Sequence, residues 1–468
     1  MLGNVNVMLI AAVLAALFGG MAAVYLYDGH TGGVDETSQS DVVSDSEPTM
    51  TEPTAPAMPA DGQFPGASDG QTMPSMPGNQ TMPAMPGNQT FPGDMGGQTQ
   101  ASSGTVGEIM TSDVTNTAKD LVADMDNVTT IVMSDENNQV KITESGTYLV
   151  TGTCADGNIV VKKGTTGVVL ILKDLDLTST TGATVSINKA AEVKLVIEGT
   201  VKLTDAEDPS DEDSTDADVA DAFDGAALKA KDGSNVCLTG TGTLTIDASS
   251  CKNGIKVGNE DTPSFVIDGD LTIRITAAND GINSGYDLTI LGGTLVISAG
   301  DDAIHADRIL TIGSPDGSGP SVTVTSSTEG LEGTVVNLFG GDGTVRSTDD
   351  AVNAANGDGT YVGVLTYSVN VTGGTWTLTS NADGLDSNGN VNMVGGTVTI
   401  RSASVGGDAG IDYDGQLYVS SEATLNNYSG TAGPDRMPGG MGGQMPGQQT
   451  GGAFPGQMMG GMFAGATA

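Results

Sequence analysis

The stretch 280–304, DGINSGYDLTILGGTLVISAGDDAI, carries the reading of the fold. It opens and closes on one signature, a polar residue followed by a small one and an aliphatic: Asp280-Gly281-Ile282 and Asp302-Ala303-Ile304. Between them lie DLTI and TLVIS, whose apolar and polar positions alternate as in strands buried on one face. The signature recurs along the chain as Asp224-Gly225-Ala226, Asn253-Gly254-Ile255, Glu329-Gly330-Leu331, Asp350-Ala351-Val352, Asp383-Gly384-Leu385 and Ala409-Gly410-Ile411, at intervals of 21 to 33 residues. Periods of that size indicate stacked repeats, and repeats made only of strands fit one turn of a β-solenoid. A propeller blade needs about 40–50 residues, more than these intervals offer.

Outward from 280–304 the same texture continues in NIVVKK, GVVLILKDLDLTS, GTLTIDAS, GTWTLTS and GGTVTIRS. The fold class expected from the repeat is all-β, a β-solenoid of about nine to eleven coils over 105–430, with disordered tails on either side. Each signature aliphatic is expected to stack inward. Each small residue is expected at a tight corner, where glycine tolerates unusual backbone angles. Thr115–Met125 is the one stretch of this region that reads as a short helix.

The flanks differ in kind. Val5–Tyr27 is uncharged and apolar for long enough to cross a bilayer, so 1–30 reads as a membrane anchor or a cleavable signal peptide. Either places the remainder at the cell surface or outside the cell, with membrane contact only through this segment. Residues 31–104 carry the repeat QTMPSMPGN, QTMPAMPGN and read as a disordered Pro/Met/Gln/Gly-rich linker; 431–468 reads as a tail of similar composition.

The 468 residues hold 58 acids against 17 lysines and arginines, a formal net charge of −41. Phosphate backbones need clustered cations, so nucleic-acid binding is excluded as an expectation. Cys154, Cys237 and Cys251 are too few for a disulfide scaffold, and one bridge, Cys237–Cys251, is the pairing considered. Asp205–Asp224 concentrates ten acids and no base, in a pattern unlike an EF-hand, and reads as an insertion loop. The informative acids are those in the signature: Asp280, Asp301, Asp302, Glu329, Glu332, Asp349, Asp350, Asp383, Asp386, Asp408 and Asp412, with His305 at an equivalent position. In a solenoid equivalent positions stack about 4.8 Å apart, and carboxylates that close repel unless cations lie between them. Hard oxygen donors suit Ca²⁺, so these twelve residues form the candidate metal set. Solvated turn acids, or a surface adapted to high salt, are the competing readings.

The runs ITESGTYLVTGTCADGNIVVKK (142–163) and VVLILKDLDLTSTTGATVSINKAAEVKLVIEGT (168–200), followed by the DGI-type coils, resemble a family of bacterial secreted carbohydrate-binding proteins. The resemblance covers about 140–420. It implies a pectate-lyase-like right-handed parallel β-helix that binds calcium and an acidic polysaccharide such as polygalacturonate, without strong lytic activity. Two enzymatic alternatives stand beside it. Asn381-Ala382-Asp383-Gly384-Leu385-Asp386 and Gly300-Asp301-Asp302 resemble polygalacturonase motifs, in reversed order. A lyase would need a base near the acids, and Arg274, Arg308, Arg346 and Arg401 are the arginines of the repeat region. A structural surface adhesin is the third reading. Trp376, the one indole, leaves little for the aromatic platforms that take neutral sugars.

Overall fold

Short alternating runs cannot bury an apolar face alone, and this chain buries them by stacking. The computed structural model describes residues 105–355, 365–403 and 408–433. Within them twenty-eight strands join one sheet, and neighbouring strands in successive coils pair in parallel. One coil shows the plan: Ile282–Ser284 on a first face, Asp287–Ile290 on a second, Thr294–Ser298 on a third, and a corner that leads back to Ile304. This is the β-solenoid expected from the repeat, in the form of a parallel β-helix; parallel crossovers of this kind are right-handed almost without exception. The expected anchor or signal segment (1–30) and the linker (31–104) lie outside the described residues, as does the tail beyond 433.

On the first face the inward ladder runs through Val140, Ile159, Val185, Leu228, Ile255, Ile282, Ile304, Leu331 and Val352, then continues through the Leu385–Ile411 bridge. Those eleven levels stand at the top of the expected range of coils. Trp376 belongs to the third-face ladder and is fully buried, its ring seated where Gly343 of the preceding coil has no side chain. The indole is a core residue.

The signature lies at the corner between third and first faces, and its backbone continues the ladder. Gly281 N–H donates to Asp302 O (2.9 Å), Ala303 to Glu329 O (3.0 Å), Gly330 to Asp350 O (2.9 Å) and Ala351 to Asp383 O (3.0 Å). The small residue is required mainly by space rather than by backbone angle. Gly225 alone of the signature glycines has a left-handed φ, +62°. At Gly281, Gly330 and Gly384 a Cβ would come within 2.5, 2.3 and 2.6 Å of a carbonyl oxygen in the next coil.

The second face is covered by the chain's own residues 107–121. Gly107 N–H donates to Asn392 Oδ1 (2.8 Å), Asn337 Nδ2 to Met110 O (2.9 Å), and Asn116 Nδ2 to Val236 O (2.8 Å), so this strap runs backwards across many coils. Beneath it Asn337, Asn370 and Asn392 stack in register, each Nδ2 donating to the Oδ1 before it. In place of the expected short helix, the strap region holds two 3₁₀ turns, Ala118–Asp120 and Met125–Asn127, because its polar groups are engaged by the second face. The Cys237–Cys251 bridge is not formed: all three cysteines are free and buried. Cys237 lies on the second face, while Cys251 lies at the corner before Asn253–Val257.

Candidate metal centre

The corner acids have a structural duty before any other. Asp280 Oδ1 accepts from Asp302 N–H (3.2 Å), Asp350 Oδ1 from Asp383 N–H (2.7 Å) and Asp383 Oδ1 from Ala409 N–H (2.5 Å). Each of these carboxylates therefore fastens the corner of the following coil. Asp301 and Asp349, one residue earlier, are exposed, and Asp408 is half-buried at the same rim.

The position after each aliphatic lies on the outer side of the first face: after Lys141, Val160 and Ser186, register stacks Lys229, Lys256, Asn283, His305, Glu332, Asn353 and Asp386 in that order. Asp412, which follows Ile411, extends the series. From Lys229 onward its character changes along the rod, from cationic through neutral to acidic.

At the middle, His305 is held by acids on both ring nitrogens. Nδ1 lies 2.9 Å from Asp302 Oδ2 and 3.2 Å from Glu332 Oε2, and Nε2 lies 2.8 Å from Asp307 Oδ1. Burial alone would lower its pKa, but these three hydrogen bonds outweigh it and push the imidazolium up to about 12. The protonated ring thus supplies here the positive charge that three converging carboxylates require. Neighbouring Glu329 is pushed well above the usual carboxylate range by burial and by the Glu332 charge, and its Oε2 accepts from Asn353 Nδ2 at 2.8 Å.

At the acidic end no such internal cation is present among the described residues. Asp383, Asp386 and Asp412 each offer a carboxylate oxygen, all within 4.8 Å of one another. Burial, then the charges of Asp350, Asp412 and other acids, push Asp383 up to about 8 and Asp386 to about 7. Asp350 rises to about 6 for the same reasons, and Asp412 is also raised. Three partly dehydrated carboxylates with only oxygen donors match the ligand chemistry of Ca²⁺, with room in its six to eight positions for further oxygens. A third converging group, Asp205, Glu207 and Cys251, is fully buried. There Glu207 accepts from the N–H groups of Gly182, Asp224 and Gly225, so it pins the acidic insertion to the coil.

The structure thus gathers Asp302, His305 and Glu332 in one place and Asp383, Asp386 and Asp412 in another, with Asp280, Glu329 and Asp350 at the corners alongside them. Sequence reasoning missed Asp307, although two residues beyond His305 is the same side of a strand. It also missed Lys229 and Lys256 in the same series.

The enzymatic alternatives gain nothing from this placement. Asp302 and Asp383 are three coils apart through Glu329 and Asp350, roughly 14 Å at one strand spacing per coil, beyond the 6.5–9.5 Å of an inverting pair. Arg308 is fixed by Asp287 (2.6 and 2.7 Å), by Asp113 and by the Tyr286 ring. Arg274, Arg346 and Arg401 belong to third-face strands.

A family profile described as "Carbohydrate-binding domain-containing protein" matches residues 136–415, more than half of the chain. A protein of Acetivibrio thermocellus with the same description is 29% identical over 223 residues, which are 41% of this chain and 73% of that protein. A solved structure of a polysaccharide lyase-like protein from C. thermocellum, a gadolinium derivative, aligns at 20% identity over 64% of this chain and 98% of its own, with a TM-score of 0.33.

Proposed function

The chain belongs to the family of carbohydrate-binding domain-containing proteins, and from that premise we propose that it binds an acidic polysaccharide of the polygalacturonate type outside the cell, through Ca²⁺. The observation that carries this reading is the group Asp383, Asp386 and Asp412, crowded within 4.8 Å without a positive partner among the described residues. The same series answers its own crowding with His305 one stretch earlier. Asp383, Asp386 and Asp412 would hold the ion, and a bound calcium supplies positive charge that protein and sugar carboxylates can share. Asp350 and the rim acids Asp349, Asp408 and Asp414 add to the negative field that draws the cation in. At a net charge of −41 the chain as a whole repels an anionic polymer, so strong retention of the polymer depends on the bridging ion. The first face is suited to a long ligand because its side chains repeat at every coil while the strap occupies the second. The Val5–Tyr27 segment supports an extracellular or cell-surface location.

The test is retention on immobilised polygalacturonate in calcium and in EDTA. Chelation is expected to remove most of the bound protein, about tenfold or more. Retention unchanged by EDTA would contradict bridging by calcium.

A further inference from the structure

The first-face series passes through two adjacent lysines, Lys229 and Lys256, and the calcium reading leaves the cleft around them unused. A cavity of about 450 Å³ opens there, within the usual size of a small-molecule site. Four of the chain's 17 lysines and arginines line it: Lys189, Lys229, Lys231 and Lys256. We propose that this cleft is a second, metal-independent site, which takes the carboxylate of an acidic sugar directly; it rests on the reading of the chain as a carbohydrate binder.

Register supplies the first argument. Lys229 and Lys256 are direct partners in adjacent coils, at the position that later becomes Glu332 and Asp386. Two ammonium groups one strand spacing apart repel as two carboxylates do, and an anion between them relieves both. Partnership supplies the second. Lys189 is paired with Asp232 (2.6 Å) and Lys231 with Asp224 (2.8 Å), so these two form fixed walls. Lys229 donates to a neutral acceptor, the Asp224 carbonyl (2.6 Å), and feels the Asp224 and Glu207 carboxylates only at longer range, so in its half-buried place it has no ion-pair contact of its own among the described residues. Burial, with the charges of Lys256 and Lys231, pulls the Lys229 pKa down, and the Asp224 and Glu207 carboxylates offset this only in part. Lys256 makes no hydrogen bond or ion pair among the described residues.

The rest of the lining selects the kind of anion. Asp221 and Asp307 also face the cleft, and carboxylates there accept hydrogen bonds from hydroxyls while repelling a multiply charged phosphate or sulfate. The Phe223 ring adds an apolar wall for the C–H face of a sugar. A singly charged, hydroxyl-rich ligand fits all of these: a uronate residue. The same face would then hold a uronate chain by lysines partway along the rod and by calcium at its acidic end.

The experiment is isothermal titration of trigalacturonate into the full chain in EDTA at low ionic strength, beside its fully methyl-esterified form and inorganic phosphate. Binding of the free acid is expected, falling about tenfold or more in Lys256→Met, which keeps an apolar stem of similar length. The ester and phosphate are expected to bind more weakly. An absence of binding to wild type in EDTA would overturn the proposal, as would equal binding by Lys256→Met or of the methyl ester. Circular dichroism of Lys256→Met checks its fold, and Lys256→Gln repeats the titration if that variant is unstable. Because polymer retention in calcium is read separately, loss of this site alone leaves the calcium reading standing.

Discussion

Asp386 and His305 stand in one register series and meet opposite electrostatic fates. Asp383 and Asp386 keep raised pKa values, about 8 and about 7, since burial and neighbouring acids disfavour their charged forms. The folded chain therefore holds protons on these groups more tightly than the unfolded chain does. Their stabilising contribution is complete below about pH 4, the unfolded carboxylate value, and is lost as pH rises through about 7 to 8. In EDTA the melting temperature is expected to fall over that window. Asp386→Asn should be the more stable protein in EDTA at pH 8, by on the order of 1 kcal/mol or about 2–4 °C, and the weaker calcium binder. Thermal scans with and without calcium check this reversal, and solvated turn acids would give none. For His305 the direction is the same, over a higher window, because its charged form rather than its neutral form is the one the fold favours. Its pKa, raised to about 12, gives stability that is complete below about pH 6.5 and is lost as pH rises toward 12. His305→Gln leaves Asp302, Glu332 and Asp307 without their cation and is expected to cost about 3 kcal/mol in chelated buffer at neutral pH, measured by urea unfolding. Calcium should recover more of that loss than it adds to wild type.

The repeating element is the coil, and its corner was the most legible part of the sequence. The spacing from Gly225 to Gly410 gave the repeat, and the acids beside it gave the ladder. What the pattern concealed was why the small residue is small. At Gly330 a Cβ would lie 2.3 Å from the Ala351 carbonyl oxygen and 2.4 Å from Val345, a contact between coils that no local pattern displays. Gly330→Ala is expected to destabilise by about 1–3 kcal/mol, read from denaturant midpoints, even though its backbone angles suit alanine. The strap was concealed for a related reason. Thr115–Met125 has a composition compatible with a helix, yet Asn116 and Thr117 find their partners at Val236 and Asn235, far along the chain. Lys229 and Lys256 were hidden too, since neither belongs to the acidic signature and only register places them in its series.

At the scale of the whole molecule the charge of −41 resolves into an arrangement. The third face carries three of the repeat-region arginines, the second is covered by the strap, and the first passes from two lysines through a histidine–carboxylate cluster to acids with no ion-pair partner among the described residues. Such a face can take a long anionic ligand only if positive charge is supplied at its acidic end. A crystal structure of the chain grown with calcium tests this most directly. The account predicts an ion with oxygens of Asp383, Asp386 and Asp412 about 2.3–2.6 Å away. The three carboxylates standing together in calcium with no ion between them would contradict it.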